Sequence, residues 1–216
     1  MTYPVGEHLQ LTQGTDEWRA ARCGSLGASQ IADALARTKT GYGASRDNVM
    51  SALLVERLTG VPTETFINDA MRRGIEKEPE ARIAYEFDQG VTVDQVGIFL
   101  HPALKGTHAS PDGLVEEVGS VEIKCPNTAT HISTLLSDSV PSKYIKQMQW
   151  QMAATGRLWT DFVSWDDRVP PEMRLFVKRV LRDDRIISDM EHEVSAFLAE
   201  LDDKIAQLQK RFARAE

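Results

Sequence analysis

The chain has 216 residues, 42% of them hydrophobic and 26% charged, with a formal net charge of −7 at pH 7, a balance that suits one globular domain over residues 1–216. The acidic total disfavours a protein that coats nucleic acid nonspecifically, and two cysteines, Cys23 and Cys125, support neither a disulfide framework nor a four-thiolate iron–sulfur cluster. No apolar run approaches a membrane span and the start lacks a basic-then-apolar signal pattern, so a cytoplasmic setting and no membrane partner are expected.

Charge is uneven along the chain. Residues 1–60 carry 6 basic and 6 acidic side chains, whereas residues 61–216 carry 19 against 26. In chain order, "GTDEWRAARCG" reads as a short helix capped by Thr15, and "ASQIADALART" as a second with Ser29 near its start. "KTGYGAS" reads as a loop. "RDNVMSALLVERLTG" repeats apolar residues at helical spacing and stops at Gly60. "NDAMRRGIEKEPEARIAYEF" is a further helix or helix pair interrupted at Pro79. The period then changes: "VTVDQVGIFLH" alternates, and "GTHASPD" and "SVEIKC" follow as strands joined by "GLVEEVG". "STLLSDSVPSKYIKQMQWQMAATG" returns to helix, "WTDFVSWDD" and "MRLFVKRVLRD" are strands, and a long terminal helix opens on a capping box of Ser188 with Glu191. This order predicts an α/β (α+β) fold in which a small mixed central sheet is flanked by helices and followed by a long C-terminal helix.

The chemistry concentrates between residues 112 and 124. Side chains alternate along a strand, so Glu122 and Lys124 share one face and Val121, Ile123 and Cys125 the other. If the preceding segment pairs with this strand, Asp112 falls beside Glu122. Two adjacent carboxylates repel, and a hard divalent cation such as magnesium relieves that repulsion. A neighbouring lysine orients the attacking water or offsets charge on a phosphate. E-x-K on a strand is common by itself. "SPD" at a strand end, the hairpin spacing and an upstream acidic helix with Glu76, Glu78 and Glu80 raise the metal-site reading.

"SPDG…VEIKCP" resembles the core of the PD-(D/E)xK nuclease superfamily, which has a restriction-endonuclease-like fold. "QGTDEWRAARCGSLGASQI", "RRGIEKEPEAR" and "YIKQMQWQM" narrow the resemblance to the phage lambda exonuclease-like alkaline exonucleases, the YqaJ viral recombinase family. The motifs run from Gln13 to Met152 in the family's order. The resemblance implies that Asp112, Glu122 and the Ile123 carbonyl bind Mg2+, that Glu78 completes the environment of a second ion, and that Mn2+ is a candidate substitute. It implies that Lys124 is the catalytic lysine and that Gln149 lies near it and its water. Arg22 matches an arginine for the 5′-phosphate of a DNA end, and Ser29 sits at a helix start where backbone N–H groups favour phosphate. Met71 falls at an apolar wedge against the terminal bases. Gly27 stands where a hydroxyl is often seen and Asp69 near a basic position, for which Arg72 and Arg73 are the candidate compensation.

The implied activity is 5′-to-3′ digestion of one strand of linear duplex DNA from phosphorylated ends, yielding 5′-mononucleotides and a 3′ single strand for recombination. One ion would lower the pKa of a bound water and the other would stabilise the leaving 3′ oxygen. A homotrimeric ring around DNA, a single-strand annealing protein as partner and a phage or prophage origin in a bacterial host are part of the same implication. Two alternatives stand beside it: a restriction-type endonuclease of the superfamily, and a non-catalytic scaffold that binds DNA ends. His108, four residues before Asp112, reads as a solvated or hydrogen-bonding histidine rather than a ligand. Trp18, Trp150, Trp159 and Trp165 read as core.

Overall fold

The computed structural model describes residues 3–39, 41–63 and 68–213. Thr40 of the expected loop and residues 214–216 of the expected terminal helix lie outside them. The chain runs β1 (His8–Leu9), α1 (Asp16–Arg22), β2 (Leu26–Gly27), α2 (Ile31–Ala34), β3 (Arg37–Thr38), β4 (Gly41–Tyr42), α3 (Ala44–Thr59) and α4 (Asp69–Gln89). It continues with β5 (Val93–Asp94), β6 (Ile98–Leu100), β7 (Thr107–Ala109), β8 (Gly113–Val115), β9 (Gly119–Lys124), α5 (Thr128–Ser137), α6 (Ser142–Thr155), β10 (Trp159–Trp165), β11 (Leu175–Leu181) and α7 (Asp184–Phe212).

A five-stranded mixed sheet, ordered β11-β10-β9-β8-β5, forms the centre. Its β9 and β10 are parallel, with Glu122 beside Phe162 and Lys124 beside Ser164, and its other pairings are antiparallel. A parallel neighbour requires a crossover, which α5 and α6 supply between β9 and β10. A second sheet, β1-β6-β7-β2, holds the strands that flank Arg22 and His108. The expected single strand over "VTVDQVGIFLH" is therefore two, β5 and β6, which join different sheets. Both lie within the alternating stretch, and period alone does not say which edge a strand joins. Likewise "GLVEEVG" is not merely a connection: it contains β8, and Glu116 at φ 51° turns the chain into β9.

Helix boundaries follow the strongest local caps. Asp183 accepts hydrogen bonds from the Arg185 and Ile186 N–H groups at 2.9 and 3.2 Å, so α7 begins before the expected Ser188–Glu191 box. Its 29 residues reach about 44 Å. α4 runs unbroken through Pro79, starting on the Asn68 side chain and ending at Gly90 in the left-handed region. The stretch around Ser29 is a single 3-10 turn, Ala28–Gln30, whose cap is Gly27 rather than Ser29. The expected "KTGYGAS" loop contains the short β3–β4 ribbon.

Three apolar clusters hold these layers. α7 lays Met190, Val194, Phe197 and Leu201 against α2, α3, α6 and the four-stranded sheet, around the buried Trp150. α4 presents Ala81 and Tyr85 to Val121, Ile123 and Val163 on one face of the central sheet. On the other face Met148 of α6 packs with Phe162 and Phe176. Glu122 and Lys124, alternating with Val121 and Ile123, consequently point to the α6 side.

Candidate active site

The hairpin β8–β9 sets Gly113 opposite Val121, which carries the preceding Asp112 to the level of Glu122. The Ile123 N–H donates to Asp112 Oδ2 at 2.6 Å, tying that carboxylate to the strand that bears Glu122. Gly113 is needed at this approach, because a Cβ there would meet Val93 Cγ1 at 2.1 Å. Glu122 is buried and ion-paired with Lys124. Burial, and then the Glu122 charge, hold the Asp112 carboxyl well above the ordinary carboxylate range. Burial opposes charge on Lys124 as well, but Glu122 and Asp112 outweigh it and keep the ammonium above its usual pKa. Its ammonium also lies 5.3 Å from the Tyr144 ring centre.

Helix α6 supplies the rest of the floor. Gln147 Nε2 donates to Glu122 Oε1 at 2.6 Å and Gln151 Nε2 to Oε2 at 2.5 Å. Residues four apart share a helix face, whereas a residue two further on is turned away. The expectation for Gln149 is corrected accordingly. Its amide donates to the Leu181 carbonyl and accepts from the Asp183 N–H, at 2.8 and 2.9 Å, on the far side of α6. The Q-x-Q-x-Q spacing contained the right residues, but the phase of α6 against Glu122 is set only by packing.

Asp112, Glu122, Lys124 and Gln147 open into a cavity of about 160 Å³ whose other wall is Gln13, Trp18, Arg22, Ala28, Ser29, His108 and Ser110. Arg22 lies over the Trp18 ring at 3.9 Å and donates through Nε to His108 Nε2 at 2.9 Å. Burial lowers its pKa, with Glu56 opposing, and among the described residues no carboxylate forms an ion pair with it. Ser110 Oγ and Trp18 Nε1 are buried without a partner among the described residues. Sequence reading missed Ser110 and placed Trp18 in the core, whereas the other three tryptophans are buried there. Of the two expected readings of His108 the structure shows the hydrogen-bonding one: the ring is buried, not solvated.

The remaining candidates separate. Glu78 is half-buried, ion-paired with Arg82 at 3.0 Å, and its charge raises the pKa of both Asp112 and Cys125. Glu76 and Glu80 are exposed, and Glu80 pairs with Lys77. Met71 is exposed at the start of α4. Arg72 pairs with Asp69 at 3.0 Å. Arg73 is bound by Asp166 and Asp167. The structure thus brings neither Arg72 nor Arg73 into the cavity wall, and both charges are already matched by aspartates. Among the described residues no three His, Cys, Asp or Glu side chains close on one point.

That donor set still fits magnesium, which takes oxygen ligands, uses one or two carboxylates and keeps water or substrate oxygens in its remaining positions. A buried like-charge pair with one carboxyl pushed well up is the condition a divalent cation relieves.

The central mixed sheet, with the acidic hairpin on one side of a cleft and α4 and α6 packed on its two faces, defines a PD-(D/E)xK-type fold. Residues 17–158 match the YqaJ-like viral recombinase domain. The chain belongs to that family. It is similar to the alkaline exonuclease LHK-Exo from Laribacter hongkongensis, with 51% identity over 92% of this chain and 98% of that one and a TM-score of 0.86. The structure of LHK-Exo in complex with dAMP matches over the same shares with a TM-score of 0.87. A phage-related exonuclease from Haemophilus somnus 129PT shares the fold at 15% identity, with a TM-score of 0.70 over 85% of this chain and 96% of that one. No curated protein matches the chain.

Proposed function

We propose that this DNA exonuclease is a magnesium-dependent enzyme that digests one strand of linear duplex DNA from a 5′-phosphorylated end. Exonuclease chemistry accords with the family and with the alkaline exonuclease relatives. The observation that carries the finer reading is the single cavity in which Arg22, free of any carboxylate partner among the described residues, faces Asp112, Glu122 and Lys124. A cation at one wall and an acidic pair at the other suit a terminal phosphate and a neighbouring phosphodiester bond.

Asp112, Glu122 and the Ile123 carbonyl would hold Mg2+, with Glu78 supporting a second ion and Mn2+ as a candidate replacement. Magnesium bound there would acidify a water and offset negative charge on the scissile phosphate. Lys124 is held against Glu122 and points the same way along β9, so its ammonium is set to orient the attacking water and to face the phosphate oxygens. Gln147 and Gln151 fix both oxygens of Glu122. Arg22, with Ser29 and the unpartnered Ser110 hydroxyl, would receive the 5′-phosphate. Met71 remains the proposed wedge against the terminal bases.

The products would be 5′-mononucleotides and a 3′ single strand that a single-strand annealing protein takes up in recombination. A homotrimeric ring agrees with a net charge of −7, since only its inner lining need be basic. Among the described residues no helix is long and apolar enough to cross a membrane.

The test is digestion of end-labelled linear duplex carrying 5′-phosphoryl or 5′-hydroxyl ends, with magnesium and with EDTA, beside covalently closed circular DNA. Faster loss of the phosphorylated strand, dependence on magnesium and an intact circle are expected. Cleavage of the circle would favour an endonuclease, and end binding with no nucleotide released would favour a scaffold.

A further inference from the structure

The cation wall of the cavity rests on a buried histidine that the chemistry above does not use. His108 sits on β7 and accepts from Arg22 Nε through Nε2 at 2.9 Å, while Ser25 Oγ lies 2.9 Å from Nδ1. Burial and the Arg22 charge push its pKa down to about 3, so the ring is neutral near pH 7. With Nε2 accepting, the ring proton sits on Nδ1 and is donated to Ser25. Both nitrogens are thus fixed, and the imidazole has one orientation.

Arg22 is gripped on two sides. Its Nε edge is held by His108 and one face by Trp18. Among the described residues the hydrogen bond found for this guanidinium uses Nε alone. Its terminal nitrogens are the groups best shaped for bidentate contact with phosphate oxygens. Gly27 pairs with His108 across β2 and β7, and a Cβ added to it would lie 3.1 Å from His108 Nε2 and 3.5 Å from Arg22 Nη2. A Cβ at 27 would press on the His108 ring and come into ordinary contact with Arg22, and a branched side chain would crowd both. The bare glycine therefore clears the seat of the pair that holds the arginine.

We propose that His108 is a positioning residue that holds Arg22 by its Nε so that the terminal N–H groups face the DNA 5′-phosphate, with Gly27 left bare to admit the pair. This rests on the reading of Arg22 as the phosphate residue. The experiment compares the ratio of digestion rates on 5′-phosphoryl and 5′-hydroxyl linear duplex for the wild type, R22A, H108A, H108Q and G27V. A ratio taken within one preparation does not depend on the folded fraction.

R22A should bring the ratio near unity. H108A should lower it at least fivefold, through KM for the phosphoryl end, and G27V should lower it while leaving the histidine in place. H108Q, whose Oε1 is an acceptor, should keep at least half of it. If R22A loses the ratio while H108A and G27V keep the wild-type value, the positioning role is overturned and the Arg22 reading stands. If R22A keeps the ratio, the phosphate reading itself fails.

Discussion

Two corners of this molecule gather charge in opposite ways. Where α4 meets the end of β10, Arg73 and Lys77 are matched by Asp166 and Asp167, and Arg168 closes on Asp166 at 2.7 Å. Burial opposes it, but hydrogen bonds from Arg168 and Thr128 and the Arg168 charge hold Asp166 down at about 2. In the cavity, by contrast, Arg22 forms no ion pair with a carboxylate among the described residues, and Asp112 and Glu122 lie together with Lys124 paired to only one of them. A compensated cluster fastens elements, whereas an unbalanced one carries a cost that a bound counter-charge relieves. The sequence offered Arg22 as the phosphate residue and Arg73 as compensation for Asp69, and their partners separate them.

The difference between the two corners predicts a graded set of variant effects. K124A should cut nucleotide release by about 10³-fold, in line with removing a charged group from a water-excluded site. Its melting temperature should stay within a few degrees of wild type, and retained cleavage would detach the lysine from the chemistry. D166N acts in the other corner. It should cost about 2–3 kcal/mol in urea unfolding, a buried ion-pair loss discounted for the partly exposed arginines, and leave the phosphoryl-to-hydroxyl ratio alone. R22A should reverse that pattern, lowering use of phosphorylated ends by roughly 10–50-fold, as expected for a lost charge-assisted contact.

Acid should weaken the fold through its neutral histidines. His101 and His108 are held at about 4 and about 3, mainly by burial, while an unfolded chain protonates near its ordinary value. Folded pKa values below the unfolded ones mean that the unfolded state takes up protons first as pH falls. Stability is therefore full above about pH 7 and is lost as pH falls toward 4 and 3, by about 3 kcal/mol for the two together at pH 5.5. Asp166 has the opposite chemistry but the same direction, and its contribution is lost only between about 4 and 2. Urea midpoints across this range in the wild type and H108Q separate the two windows, because the first should shrink by about half in the variant, His101 remaining, and the Asp166 window should not change. Smallest, Q147A removes one amide donor from Glu122, whose other oxygen Gln151 still holds, and should slow turnover about fivefold, near the net worth of one ordinary hydrogen bond. Q149A should instead act on stability, since its amide bridges Leu181 and Asp183.

The sequence by itself determined the acidic hairpin. Side chains alternate every second residue on a strand, so Glu122 and Lys124 had to share a face, and pairing within one hairpin had to bring Asp112 alongside. The stop at Gly60 and the apolar stripe of the last helix were legible for the same reason: each is a local rule acting over a few residues. Contacts distant in the chain were decided only by the tertiary structure. Arg22 meets His108 across 86 residues, Arg73 meets Asp167 across 94, and the phase of α6 chooses Gln147 and Gln151 over Gln149. No period in the sequence encodes these, because each depends on how two elements pack and rotate against one another.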